Sequence, residues 1–368
     1  MAAGVIQLNC KNFRSYGRLA LDFSSKFVIF CGDNGAGKTN ILEAISLFSP
    51  SKGLRKAPIH DLNLAQSIPL SWNVELVIEK EGCRTFLSTC TGNGSRVAKI
   101  DSATIDSLGK FEELLWILWV IPSMNNIFIG PAADRRGFFD HMVIGYNRRH
   151  RSDLKTLAKL QKERLHVISY RKDEAWLNIL EKKITEENIK ITKTRLEFIK
   201  ALEKTFENHP SDFLRPQIGI SGTVEDFFRH YDEETAVLKI LSALKADRFV
   251  DSEKQTTSIG CQKTIWTAEH PRRSFSAEKC STGEQKAFLI SLILASLRIS
   301  RNTRSGIPVL LLDDLMQHLD RKRRKYLVEE LVSMEVQTFL TGTELSLFED
   351  LRCSAQVYKV DRSICLLS

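Results

Sequence analysis

Three glycines, a lysine and a threonine form the first group of residues with chemistry in their spacing. Gly32-Asp33-Asn34-Gly35-Ala36-Gly37-Lys38-Thr39 follows the pattern Gly-x4-Gly-Lys-Ser/Thr. Glycine lets successive backbone N–H groups turn inward around a bound β- and γ-phosphate, and the helix that opens there adds the positive end of its dipole. Lys38 supplies a point charge and Thr39 a hydroxyl for Mg2+. The plain alternative is a glycine-rich strand-to-helix turn that happens to contain Lys-Thr. The apolar strand before the motif and the apolar helix after it favour ATP.

A second group lies near the other end of the chain. Val309-Leu310-Leu311-Leu312-Asp313-Asp314 is an apolar run closing on two acids, the composition of a buried strand whose carboxyl end meets phosphates. Asp313 would hold magnesium, and Asp314 would orient or deprotonate the attacking water. ABC-type ATPases usually carry Glu at the second position, so Asp314, one methylene shorter, predicts slow turnover. Upstream, Ser281-Thr282-Gly283-Glu284-Gln285-Lys286 introduces an apolar helix and resembles the signature turn of ABC-type heads. A capping box accounts for Ser281 and Glu284 equally well. What favours the signature is order: phosphate loop, long helical insertion, signature, then acid pair. In such heads Ser281 and Gly283 would cover the γ-phosphate held by a second copy, giving an ATP-sandwiched homodimer.

The elements needed to position these groups are legible as an α/β fold. Val5–Asn9, Leu19–Phe23 and Phe27–Phe30 read as strands, Thr39–Phe48 as the helix after the loop, and residues 71–91 as a hairpin on an antiparallel side sheet. From about Leu108 to Asn208 the pattern turns helical, with Leu177, Ile184, Ile191 and Phe198 seven apart. Residues 247–260 are polar and read as a loop, and the α/β pattern resumes near Ile265. The expectation is an ABC-type P-loop ATPase head, a mixed sheet with an antiparallel side sheet, from residues 1–110 and 265–368. A helical arm domain of residues 111–264 would be inserted in it.

Over nearly its whole length the chain resembles the RecF family of bacterial recombination mediators. The residues that carry the resemblance are Asn12-Phe13-Arg14-Ser15-Tyr16, the phosphate loop extended to Asn40, Leu42-Glu43-Ala44-Ile45, Gly130-Pro131, Arg135-Arg136-Gly137-Phe138-Phe139-Asp140, the signature turn and Leu312-Asp313-Asp314. The resemblance implies a head like that of SMC and Rad-fifty proteins and ATP-dependent dimerisation. It also implies binding to DNA at gaps and single-strand/double-strand junctions, weak DNA-stimulated ATPase, and action with RecR and RecO in loading RecA. Two departures bear on the dimer interface: Gln161-Lys162-Glu163 stands where the family tends to carry Gln-Arg-Asn, and Gln317 fills a site usually held by a small residue.

Charge agrees with a polyanionic partner. The chain of 368 residues carries a net charge of +8, and residues 148–172 hold nine Lys/Arg against two acids. Arg148, Arg149, His150, Arg151, Lys155, Lys159, Lys162 and Arg164 form the candidate DNA-facing set, with a solvated basic helix as the plain alternative. Arg135 and Arg136 read as structural, pairing with Asp134 and Asp140. The eight cysteines stand singly, without zinc-ligand spacing, and read as reduced buried thiols. The longest apolar run, residues 114–122, is less than half a membrane span, which points to the cytoplasm and no membrane. A transport ATPase subunit would carry Leu-Ser-Gly-Gly and a switch histidine; Thr343 stands in that neighbourhood instead. The remaining rival is a DNA clamp that uses ATP as a switch without hydrolysing it.

Overall fold

The computed structural model describes residues 3–65, 71–92, 94–171, 173–273, 275–303, 306–361 and 364–367. The chain divides into two compact units: Met1–Met124 with Arg304–Ser368, and Asn125–Thr303. In chain order the first unit contributes β1 (Ala3–Phe13), β2 (Tyr16–Asp22), β3 (Phe27–Cys31), α1 (Lys38–Ser46), β4 (Asn73–Lys80), β5 (Cys83–Gly92), β6 (Ser95–Ile100), β7 (Ala103–Thr104), α2 (Phe111–Leu114) and β8 (Leu115–Val120). The second holds α3 (Ala132–Tyr146), α4 (Arg149–His166), α5 (Glu174–Asn208), β9 (Gln217–Ser221), α6 (Thr223–His230), α7 (Glu233–Ala246), α8 (Arg248–Lys254), β10 (Ile265–Glu269) and α9 (Thr282–Thr303). The chain then returns to the first unit through β11 (Ile307–Leu312), α10 (Arg321–Met334), β12 (Gln337–Gly342), β13 (Ala355–Asp361) and β14 (Ile364–Leu367).

The first unit is the expected α/β head, with two six-stranded sheets. One runs β14-β13-β3-β12-β11-β8 and is parallel except for β14; the other, β2-β1-β4-β5-β6-β7, is antiparallel. Every residue of β3 and β12 is buried, as a parallel strand covered on both faces requires. The side sheet alternates instead, and β4 and β5 are joined through Glu81 and Gly82, both at positive φ, in a two-residue hairpin turn. The apolar side chains of both sheets and of α1 merge into one core that includes Phe30, Ile41, Trp72, Leu311 and Phe339.

Three expectations change. Leu115–Val120 is a strand, pairing parallel with β11 from Ile307↔Leu115 to Leu312↔Val120, inside the stretch read as helical. A short, continuously apolar run fits a buried strand and a buried helix alike. Residues 248–254 form α8 where a loop was expected, because Asp251 is wholly buried as a partner for Arg164. The division between units also falls elsewhere than at 110/111 and 264/265. β10 pairs with β9 in a two-stranded sheet and α9 packs in the second unit, so the signature turn belongs to that unit.

In the second unit, α4 and α5 pack together around Leu157, Ile184 and Ile191. The core also carries charge. Arg164, fully buried, bonds Glu181 at 3.0 Å and Asp251 at 2.6 Å; Arg195 bonds both Asp140 oxygens at 2.9 Å, and His150 lies 2.8 Å from the same carboxylate. Of the eight cysteines, Cys10, Cys31, Cys261 and Cys280 are buried as expected, while Cys83 and Cys353 are exposed. Among the described residues no helix is long and apolar enough to cross a membrane.

Candidate nucleotide site and signature turn

β3 delivers the chain to the loop at residues 32–37, and α1 starts at Lys38. Gly37 sits at φ +109°, and a Cβ there would meet the Tyr16 hydroxyl; a Cβ on Gly32 would collide with the Val360 carbonyl. Both glycines are therefore required by backbone conformation and close approach. Asp33, Asn34 and Gly35 are exposed on the loop and Ala36 is tucked under it. Lys38 is 4% exposed and its Nζ donates to the carbonyls of Gly32 at 2.6 Å and Asp33 at 2.8 Å, which places the ammonium inside the curve of the loop.

The acid pair meets this loop directly. Thr39 Oγ1 lies 2.9 and 3.1 Å from the two carboxylate oxygens of Asp313, which the end of β11 places beside α1. Burial pushes the Asp313 carboxyl above its usual range, opposed by hydrogen bonds from Thr341 and Thr39, while Asp314 adds to the rise. A hydroxyl and a carboxylate, both hard oxygen donors, suit Mg2+, and a cation would relieve that burial cost. Asp314 follows at φ +49°, its N–H bonded to Thr341 Oγ1 at 2.8 Å and its Oδ1 buried without a hydrogen-bond partner.

Thr341 is the residue that sequence reading passed over. It ends β12 fully buried, donates to Asp313 Oδ1 at 2.8 Å and accepts from the Asp314 N–H, so one hydroxyl fixes both acids. In the sequence it is one threonine of Thr341-Gly342-Thr343, and only the β11–β12 register makes it a neighbour of the acids. A second brace joins α1 to the β1–β2 turn. Glu43, with no exposure, takes two bonds from Arg14, at 2.8 and 2.6 Å, and one from Arg55 at 3.1 Å. Asn40 donates to Ser15 Oγ at 2.8 Å and accepts from Arg55 at 2.7 Å. Arg14 and Asn40 therefore hold the phosphate loop's helix in place.

In the second unit the turn before α9 is a reciprocal capping box. Ser281 N–H and Oγ donate to Glu284 Oε2 at 2.9 and 3.0 Å, and the Glu284 N–H donates back to Ser281 Oγ at 3.3 Å. These hydrogen bonds hold the Glu284 carboxyl below its usual range. Ser281 and Thr282 are exposed and Gly283 is half-buried, and a first helical turn leaves the N–H groups of Thr282 and Gly283 without intrahelical acceptors.

The basic candidates separate by exposure. Arg148, Arg149, Lys155, Lys159 and Lys162 are exposed on or beside α4 and Arg151 is half-buried, whereas His150 and Arg164 are fully buried against carboxylates and leave the DNA-facing set. The reason is periodicity: Leu157, Gln161 and Arg164 share the face packed inward, opposite the 155–159–162 stripe. Arg135 and Arg136 are structural, with other partners than expected. Arg135 pairs with Glu278 and Arg136 donates to the Thr264 carbonyl at 3.1 Å, leaving Asp140 to Arg195 and His150. Phe139, in the same segment, stacks on Trp266 at 5.7 Å.

Comparison with known proteins agrees with this architecture. The model of the RecF/RecN/SMC N terminal domain matches residues 4–365. A DNA replication and repair protein RecF from Mesorhizobium japonicum is 33% identical over 97% of this chain and 96% of its own; its namesake from Rickettsia typhi is 31% identical over 96% and 98%. Among solved structures, the recombination mediator protein RecF with ATP, of the RecFOR pathway, aligns with a TM-score of 0.85 at 21% identity, covering 100% of this chain and 99% of that one. A Pyrococcus furiosus Smc head aligns with a TM-score of 0.55 at 14% identity, covering 100% and 96%, so the head fold extends beyond the near relatives. With identity above 30% and coverage of nearly the full length on both sides, the chain belongs to the RecF family.

Proposed function

We propose that this chain is an ATP-switched DNA-binding protein of recombinational repair and replication, which dimerises on Mg·ATP and hydrolyses it slowly. The observation that carries the reading is the contact of Thr39 with both oxygens of Asp313 beside the buried Lys38 ammonium. Lys38 holds the β- and γ-phosphates in exchange for its two carbonyl contacts, and the amides of residues 32–37 surround them. Thr39 and Asp313 would hold Mg2+, which would supply charge neutralisation for the phosphates. Asp314 Oδ1, buried without a hydrogen-bond partner, is an acceptor for the attacking water. The N–H groups of Thr282 and Gly283 in the first turn of α9, with Ser281, are the surface for the γ-phosphate of a second copy.

Arg148, Arg149, Lys155, Lys159 and Lys162 form the cationic track for DNA, which reads backbone charge and no sequence. The relatives are named DNA replication and repair protein RecF, which supports the DNA reading; action at DNA gaps and junctions in the cytoplasm, with RecR and RecO as partners, completes the proposal. Equilibrium binding of Mg·ATP and of a gapped duplex, at low and at high salt, tests the reading. ATP is expected to tighten DNA binding, and salt to weaken it steeply. Binding of DNA that ignores both ATP and salt would overturn it.

A further inference from the structure

The exposed cations of α4 lead to two aromatic side chains that nothing in the ATP site uses. Lys155, Lys159, Lys162 and His166 follow one another at helical spacings of three and four and all are exposed. The helix then passes into a π-helical turn, Val167–Arg171, a rare conformation that places Tyr170 on the continuation of the stripe. The His166 and Tyr170 rings lie 5.2 Å apart. Tyr170 is 75% exposed, and α8, which is tied to the same turn by the bond of Gln255 Nε2 to Ser169 Oγ at 3.1 Å, carries Phe249 at 76% exposure. These are the two most exposed large hydrophobic side chains among the described residues. The acid of this stretch, Glu163, accepts a hydrogen bond from Trp176 Nε1 at 3.2 Å.

An exposed aromatic ring at the end of a cationic helix, with a second on the helix tied to the same turn, suits a ligand with alternating anionic and flat apolar groups. We propose that Tyr170 and Phe249 form a stacking platform for unpaired bases of a single strand whose phosphates lie along Lys155, Lys159 and Lys162. Duplex DNA keeps its bases stacked internally and meets only the cations, so the platform distinguishes the single-stranded side of a junction from the double-stranded side. The inference rests on the DNA-binding reading above and adds to it which strand form is recognised, and by which residues.

The test is equilibrium binding of the full chain to a labelled oligothymidine and to a duplex of the same length, across a salt series. The double variant Tyr170→Ala, Phe249→Ala is expected to bind the single strand about fivefold or more weakly, with duplex affinity and both salt slopes unchanged. Tyr170→Trp is expected to keep single-strand affinity, and its fluorescence to be quenched by the single strand and not by the duplex. Lys159→Ala with Lys162→Ala weakens both DNA forms and flattens the salt dependence. Both aromatic side chains are exposed, so an unchanged melting temperature confirms that folding is intact. Equal losses on the two DNA forms, or none on the single strand, would overturn the platform while leaving the DNA-binding reading in place. A wild-type protein that binds neither form overturns both. Loss of self-association with DNA binding intact would assign the rings to a second copy and likewise overturn it.

Discussion

One hydroxyl, that of Thr341, ties Asp313, the proposed metal ligand, to Asp314, the proposed acceptor for the attacking water, so the geometry of both depends on it. Thr341→Val removes the acceptor for the buried Asp314 N–H and the donor to Asp313, at a cost of about 1–3 kcal/mol in stability. It is expected to lower kcat well beyond any change in KM and to raise the Mg2+ concentration needed for tight nucleotide binding, with Thr341→Ser restoring both. Steady-state kinetics over a magnesium series checks this; equal behaviour of the two variants would remove the positioning role. At this scale the phosphate loop, Asp313 and Asp314 were legible because their spacing along the chain is itself the chemistry. Thr341, Arg55 and the partner of Arg14 were not, because they meet through β-strand register and the β1–β2 turn, which no local pattern encodes.

Helix periodicity separated the elements well where one face is polar and failed where both are apolar or where charge is buried. The match is close for α1, expected at Thr39–Phe48 and found at Lys38–Ser46, and for α5, whose seven-residue apolar repeat marks its packed face. β8 escaped because six consecutive apolar residues carry no period, and α8 because its one inward residue is Asp251, an acid that sequence rules place in solvent. The buried pairing of Arg164 with Asp251 and Glu181 makes a sharp stability test. Arg164→Ala leaves the buried Asp251 carboxylate without its cation, while Glu181 keeps Arg248, and is expected to destabilise the second unit by about 3–5 kcal/mol. Denaturant unfolding followed by circular dichroism measures this, and a loss within about 0.5 kcal/mol, the range of a surface substitution, would contradict it.

At the scale of the whole molecule, a second buried charge cluster, Asp140 with Arg195 and His150, contributes to stability against acid. Burial alone would raise the Asp140 carboxyl, but Arg195 and the hydrogen bonds from His150 and Arg195 outweigh it and hold the group below its usual range. A carboxyl lowered on folding contributes stability that is fully present above its unfolded value near pH 4 and is lost as pH falls through the folded value. Asp140→Asn is therefore expected to be less stable than the parent at pH 7 and to lose less on acidification below about pH 4. Urea midpoints at a few pH values show the difference in slope, and parallel curves would contradict it.

The central claim, that Mg·ATP joins two copies through a phosphate loop and a signature turn, is tested most directly by sedimentation velocity with and without Mg·ATP. For a chain of 41.9 kDa the account predicts a monomer that shifts to a dimer on adding Mg·ATP. Lys38→Ala should remain a monomer throughout, and Asp314→Asn should hold the dimer long after the parent has returned to monomer. An unchanged sedimentation coefficient for Asp314→Asn in saturating Mg·ATP would contradict the account.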